Sequence, residues 1–229
     1  MNKKLLTRIL IDVCMTICLL FLMAYSLVGE VAHEVIGIVI FVLFVIHHIL
    51  NRRWLASITK GEYSPLRIIQ TVLVFVILIL MLGSMVSGII LSNNIFKFIK
   101  IIGITMKARS IHMLCAYWGF IMMSVHLGIH WNMIVNMTGR LFGSPSAIRG
   151  WIARILAFAA AIYGVYAFNK RQIGEYLLMK IHFVFYDFTE NVMFFILDYV
   201  AVMALVVFIT YYLTKLLTRR VKLKLQNKS

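Results

Sequence analysis

Seven histidines lie in a chain of 229 residues that is 62% hydrophobic and only 14% charged. An imidazole in such surroundings needs an explanation, because ionisable groups are costly in hydrocarbon and tend to mark function. Four of the seven repeat one spacing: His33 and His47 are 14 residues apart, and so are His112 and His126. On a helix, 14 residues return to within about 40° of the starting face and rise about 21 Å. Each pair therefore sets two rings on one helix face, one near each boundary of an apolar layer about 30 Å thick. If the two helices run in the same direction, His33 is level with His112 and His47 with His126. Neutral imidazoles offered at one level from facing helices are what six-coordinate haem iron takes as its two axial ligands. Zinc calls instead for three or four ligands crowded together. A single membrane histidine is more often a hydrogen-bonded core residue than a ligand, but two equal spacings at matching depth favour the haem reading.

The neighbours of these histidines suit the same chemistry. Gly119 is seven residues from both His112 and His126 and Gly37 is four after His33, so each puts a missing side chain on the ligand face where a macrocycle edge could approach the backbone. Arg109, one turn before His112, and Arg52 and Arg53, just beyond His47, are suitable counter-charges for haem propionates. Three further histidines are secondary candidates. His48 points about 100° away from His47, and a rotated helix would exchange the two. His130 follows His126 by one turn and could bind a quinone or act as an alternative ligand, and His182 lies in an outer segment with Tyr186, Asp187 and Glu190. Asp12, Glu34 and Asp198 fall inside apolar runs, where a carboxylate either handles protons or pairs with a neighbouring cation or hydroxyl. A zincin face is missing, since the residue four after His33 is Gly37 and not a second histidine. Cys14, Cys18 and Cys115 form no Cys-x-x-Cys pair and read as small apolar core residues.

The elements that must position these groups follow from hydropathy. The mean hydropathy is +0.95, and six stretches have the roughly 20 apolar residues of a spanning helix: about 5–28, 30–50, 65–91, 110–135, 151–168 and 191–215. The 23 Lys and Arg residues cluster between these runs, which excludes a soluble nucleic-acid-binding protein. With both termini in the cytoplasm, 16 of the 23 face inward, as the positive-inside rule requires. In that topology the second and fourth helices both run inward, and the two haems lie between them. The expected fold is therefore all-α, a polytopic bundle of about six transmembrane helices forming a single domain over 1–229. The segment 92–109 is expected to be an outer interfacial helix, with Lys97, Lys100 and Lys107 within an arc of about 80° and Phe96, Phe98, Ile99 and Ile102 on its apolar faces. Residues 216–229 are expected to be a basic cytoplasmic tail. Every gap between spans is too short for a folded domain, so a ferric reductase complete with flavin and nicotinamide domains is disfavoured.

The strings His33-Glu-Val-Ile-Gly37, His47-His-Ile-Leu-Asn-Arg-Arg-Trp54, Arg109-Ser-Ile-His112 and His126-Leu-Gly-Ile-His-Trp131 resemble those of the bacterial flavinylation-associated cytochrome family. The resemblance covers roughly residues 5–135 and is strongest at the Asn-Arg-Arg-Trp and His-x-Gly-x-His-Trp strings. It implies a di-haem b-type cytochrome of the bacterial cytoplasmic membrane, with His33, His47, His112 and His126 as axial ligands to two haem b groups. The implied function is transmembrane electron transfer, from a quinol such as menaquinol or another donor to an extracytoplasmic flavoprotein or other acceptor, as in extracellular electron transfer. The chain would then be an electron carrier or the membrane subunit of an oxidoreductase. A His-lined metal-ion transporter and a nonredox membrane assembly subunit are the competing readings, and haem colour separates them from the first.

Overall fold

A computed structural model of the chain describes residues 3–99, 103–141, 146–184, 187 and 189–226. Among the described residues every regular element is a helix: α1 (Lys3–Met23), α2 (Tyr25–Val28), α3 (Glu30–Leu50), α4 (Arg52–Ser57), α5 (Pro65–Leu91), α6 (Thr105–Leu141), α7 (Ala147–Lys170), α8 (Ile173–Leu177) and α9 (Val192–Gln226). Six of them, α1, α3, α5, α6, α7 and α9, are long and apolar enough to cross a membrane. The protein is thus an all-helical, multi-pass membrane protein. Lipid offers no partner to a backbone N–H or C=O, and a helix satisfies both within one segment.

Local chemistry explains where the helices start. Ser64 accepts a hydrogen bond at its Oγ from the Arg67 amide, and Pro65 follows at the first helical position, where its missing N–H costs nothing. Ser146 caps α7 in the same way, its side chain accepting from the Arg149 amide. Gly29, with φ +90°, separates α2 from α3, and Gly103, with φ +91°, precedes α6. Both take a left-handed conformation that a side chain would strain.

Three expected boundaries differ. The first span is broken at Ala24 into α1 and α2, and α6 runs well beyond 110–135 at both ends. The expected tail over 216–229 continues α9 as helix through Gln226. The interfacial helix over 92–109 does not form within the described residues: 92–99 is a run of bends and turns, and Lys107 and Arg109 already belong to the first turns of α6. Lys100 and Ile102 lie outside the described residues.

The chain forms two compact units. The first comprises Met1–Glu62, Leu78–Gly119 and Ile173–Leu197. In it α8 lies on α6: Tyr117 and Tyr176 stack with ring centroids 4.5 Å apart, and the Trp118 indole donates to the Leu177 carbonyl at 3.0 Å. The second comprises Tyr63–Ile77, Phe120–Gln172 and Asp198–Ser229. Its helices meet at glycines: a Cβ on Gly164 would run into the Ala201 carbonyl, and one on Gly128 would lie 2.6 Å from the Thr210 Cβ. Small residues give membrane helices their closest approach, where packing rather than the hydrophobic effect drives association. The outer faces are apolar, and on α7 Trp151, Ile155, Leu156 and Ile162 each keep more than half of their surface exposed, as contact with lipid requires.

Candidate functional site

The first unit brings His33 and His112 together. The buried face of α3 carries Ile40 and Phe44, and at helical period His33 and Gly37 continue that stripe toward the start of the helix. His112 sits two turns into α6. The two rings lie with centroids 6.1 Å apart and planes inclined by 68°, as their matching depth predicts. Tyr25 closes one side, its ring edge-on to His33 at 4.9 Å. Burial raises the pKa of the Tyr25 hydroxyl; the charge of Glu30 adds to this and that of Arg109 opposes it.

A third helix, which the sequence reading left without a role, orients His112. Its Nδ1 lies 3.0 Å from the Ser84 carbonyl and 3.2 Å from the Ser87 Oγ, both on α5. A carbonyl can only accept, so Nδ1 carries the proton and Nε2 holds the lone pair. Ser87 is consistent with that tautomer, because its own hydroxyl hydrogen goes to the Gly83 carbonyl at 2.6 Å. Gly88, one turn on, lets the ring rest against α5: a Cβ there would sit 3.3 Å from the imidazole Cε1. Gly83 likewise faces Cys115, whose Sγ would lie 2.7 Å from an added Cβ. The signal for this cradle is Gly83-Ser84-Met-Val-Ser87-Gly88, two overlapping small-x-x-x-small pairs in an apolar run.

On the other ring, His33 Nδ1 is buried and has no hydrogen-bond partner. Two neutral imidazoles at this separation, one with an orphaned nitrogen and the other with its proton directed away, form a two-donor set. Among the described residues no group of three or more His, Cys, Asp or Glu side chains is placed to hold a metal ion, so the donor set of a structural zinc site does not assemble. Gly37 and Gly119 both open onto space, since a Cβ on either would meet nothing within 4 Å. Arg109 is exposed one turn before His112, and Arg52 and Arg53 are exposed at the start of α4.

At the far end of α3 the histidines are held differently. His47 Nδ1 lies 2.7 Å from Asp12 Oδ1 on α1, and one turn away Arg8 donates to the Leu50 carbonyl at 2.7 Å. The Asn51 amide donates to the His47 carbonyl at 2.9 Å and reaches the ring Nε2 only at 3.4 Å. His48 turns the other way, with Nδ1 2.9 Å from the Phe44 carbonyl and its ring against Phe44. In the second unit His126 and His130 lie side by side on α6, with ring centroids 4.8 Å apart. His182 is exposed, Asp187 accepts from the Thr189 hydroxyl and amide, which holds its carboxyl below the usual range, and Tyr186 lies outside the described residues.

All three intramembrane carboxylates have partners, the plainer of their two expected roles. Asp12 faces His47. Glu34 accepts from the Ser92 hydroxyl at 2.8 Å and from the amides of Asn93, Asn94 and Ile95 at 3.0, 3.3 and 2.8 Å. It therefore ties the turn after α5 to the first turns of α3. Asp198, 1% exposed, accepts from the Tyr163 hydroxyl at 2.6 Å, from Lys170 at 2.8 Å and from two nitrogens of Arg171 at 2.7 and 2.6 Å. Lys170 and Arg171 compensate a buried carboxylate that would be costly alone. No protein-family model, curated protein or solved structure matches this chain.

Proposed function

We propose that the protein is a di-haem b-type cytochrome that carries electrons across a bacterial cytoplasmic membrane, akin to the flavinylation-associated cytochromes. The observation that carries this reading is the His33–His112 pair. The two imidazoles lie with ring centroids 6.1 Å apart, and His33 and His112 would be the residues that hold a haem iron between facing helices. The orphaned nitrogen of His33 and the tautomer of His112 suit that use, and the open space at Gly37 and Gly119 suits a flat macrocycle.

In this reading His33 and His112 hold one haem, and His47 and His126 are the ligands assigned to the second by their depth along the helices. Haem supplies a one-electron ferric–ferrous couple; the chain's own residues supply orientation and charge. Ser84 and Ser87 lock the His112 ring, Gly88 gives it room, and Arg109, Arg52 and Arg53 meet propionates at the two surfaces. The basic residues Lys97, exposed in the 92–99 run, and Lys107, exposed in the first turn of α6, would offer an acidic flavoprotein a docking face on the extracytoplasmic side, and a quinol, menaquinol by the resemblance, is the proposed donor. Both termini are proposed to be cytoplasmic.

Purified protein should be red, with a Soret band that sharpens on dithionite and about two haem b per chain by pyridine haemochrome. Protein purified from haem-replete cells without a Soret band would overturn the reading and favour a His-lined transporter or a nonredox assembly subunit.

A further inference from the structure

We propose that the start of α1 and the chain just after α3 together form a binding face for the phosphate headgroup of an anionic phospholipid. The inference goes beyond the cytochrome reading and does not depend on it. Two basic clusters distant in sequence are brought to one level by a single bond: Arg8, near the start of α1, donates to the Leu50 carbonyl at the end of α3 over 2.7 Å. One turn further into both helices Asp12 lies 2.7 Å from His47, so α1 and α3 run antiparallel at this end. Lys4, Arg8 and Asp12 follow at intervals of four and share one face of α1. That face is the one turned to α3, and Lys4 continues it toward the chain that leaves α3.

That chain supplies Arg52 and Arg53 in α4 and Lys60 in the turns that follow, all exposed. With Lys4 and Arg8, also exposed, these make five cations at the tips of two candidate spans. The carboxylates of the same segments are Glu62 and Asp12, and Asp12 faces His47. Arg52 and Arg53 are the pair assigned above to propionates; Lys4, Arg8 and Lys60 exceed what two carboxylates need. Arg8, bonded at Leu50, stands only two residues of chain from Arg52, within a Debye length. Like charges at that range repel unless an anion lies among them. Leu5, Leu6 and Leu55, next to these cations in sequence, are exposed as well. A basic tip with apolar flanks fits a molecule that is anionic at its head and hydrocarbon below. Soluble phosphate would satisfy the cations but not the leucines, whereas a phospholipid meets both. Arg offers a phosphate paired N–H groups and Lys a point charge.

Native mass spectrometry of the purified full-length protein in detergent, titrated in turn with phosphatidylglycerol and phosphatidylcholine of the same acyl chains, tests this. The wild type should hold phosphatidylglycerol about tenfold more tightly than phosphatidylcholine. Lys4→Gln combined with Lys60→Gln should weaken phosphatidylglycerol about fivefold for each cation removed and leave phosphatidylcholine as it was. Lys4→Arg combined with Lys60→Arg keeps both charges and should keep the preference. Equal retention of the two lipids by the wild type, or an unchanged preference in the glutamine pair, would overturn the inference. So would the same weakening in Lys97→Gln combined with Lys107→Gln, which removes as many charges at the His33 end. Displacement of phosphatidylglycerol by millimolar inorganic phosphate would mark a soluble-anion site and overturn it too. Haem content should stay the same in the Lys4 and Lys60 variants, so the result is independent of the Soret band that tests the cytochrome reading.

Discussion

The two ends of α3 carry histidines 14 residues apart on nearly one face, yet they are built from different materials. At the His33 end the ring meets His112, and the groups around the pair are a backbone carbonyl, a serine hydroxyl and glycines from α5. At the His47 end the nearest group is a carboxylate from α1, and a second histidine turns back on its own helix to the Phe44 carbonyl. Helical repetition sets like residues at two depths, but the neighbouring helix sets their electronic surroundings. A spacing that looks symmetrical in the chain thus yields two sites that differ in charge.

The comparison breaks most severely if the ligands are wrong. His112→Ala and His33→Ala should each remove about one of two haems, and His47→Ala and His126→Ala the other, as read by pyridine haemochrome on folded protein. Retention of both haems in His47→Ala would point to His48 or His130. A finer separation of packing from cofactor comes from glycines. Gly88→Leu drives a side chain into the His112 ring at a cost of about 1–3 kcal/mol and should lose the outer haem alone. Gly119→Leu meets no protein atom near its Cβ, so it should lower haem content while leaving helicity and yield unchanged by circular dichroism and gel filtration.

Smaller effects test the framework around each end. Glu34→Gln removes a charge that accepts five hydrogen bonds within the 92–95 turn, and should destabilise the His33 end by about 1–3 kcal/mol. Thermal loss of the Soret band should then begin with the outer haem, and loss of both haems together would place Glu34 outside that end's support. Reversing the charges of Lys97, Lys100 and Lys107 should have the mildest effect. Haem content should stay the same, while reoxidation by an acidic partner slows and no longer falls with ionic strength in stopped-flow measurements, because salt now screens a repulsion. Reduced membrane yield instead would make these residues a membrane anchor.

The spans were legible because hydropathy and helical period are local properties. The run over 65–91 coincides with α5 and that over 30–50 with α3. The meeting of His33 with His112 agrees with the equal depth expected of two helices that run in the same direction. The interfacial helix was misread for a definite reason. A regular turn of 100° per residue over 92–109 assumes that backbone amides bond within their own segment. The amides of Asn93, Asn94 and Ile95 go instead to Glu34, some 60 residues away in sequence, so they do not carry the backbone ladder of α5 onward, and 92–99 is a run of bends and turns.

The chain's own pattern thus prescribes how many helices form, how deep each histidine and carboxylate lies, and which side chains could act as ligands. Partnership belongs to the folded molecule. Asp12 reaching His47, the α5 serines holding His112, and Lys170 and Arg171 closing on Asp198 all depend on how each helix is rotated about its axis and which helix lies beside it. Those rotations are set by close contacts at small residues such as Gly83 and Gly88, through packing between segments distant in sequence, and no local period encodes them.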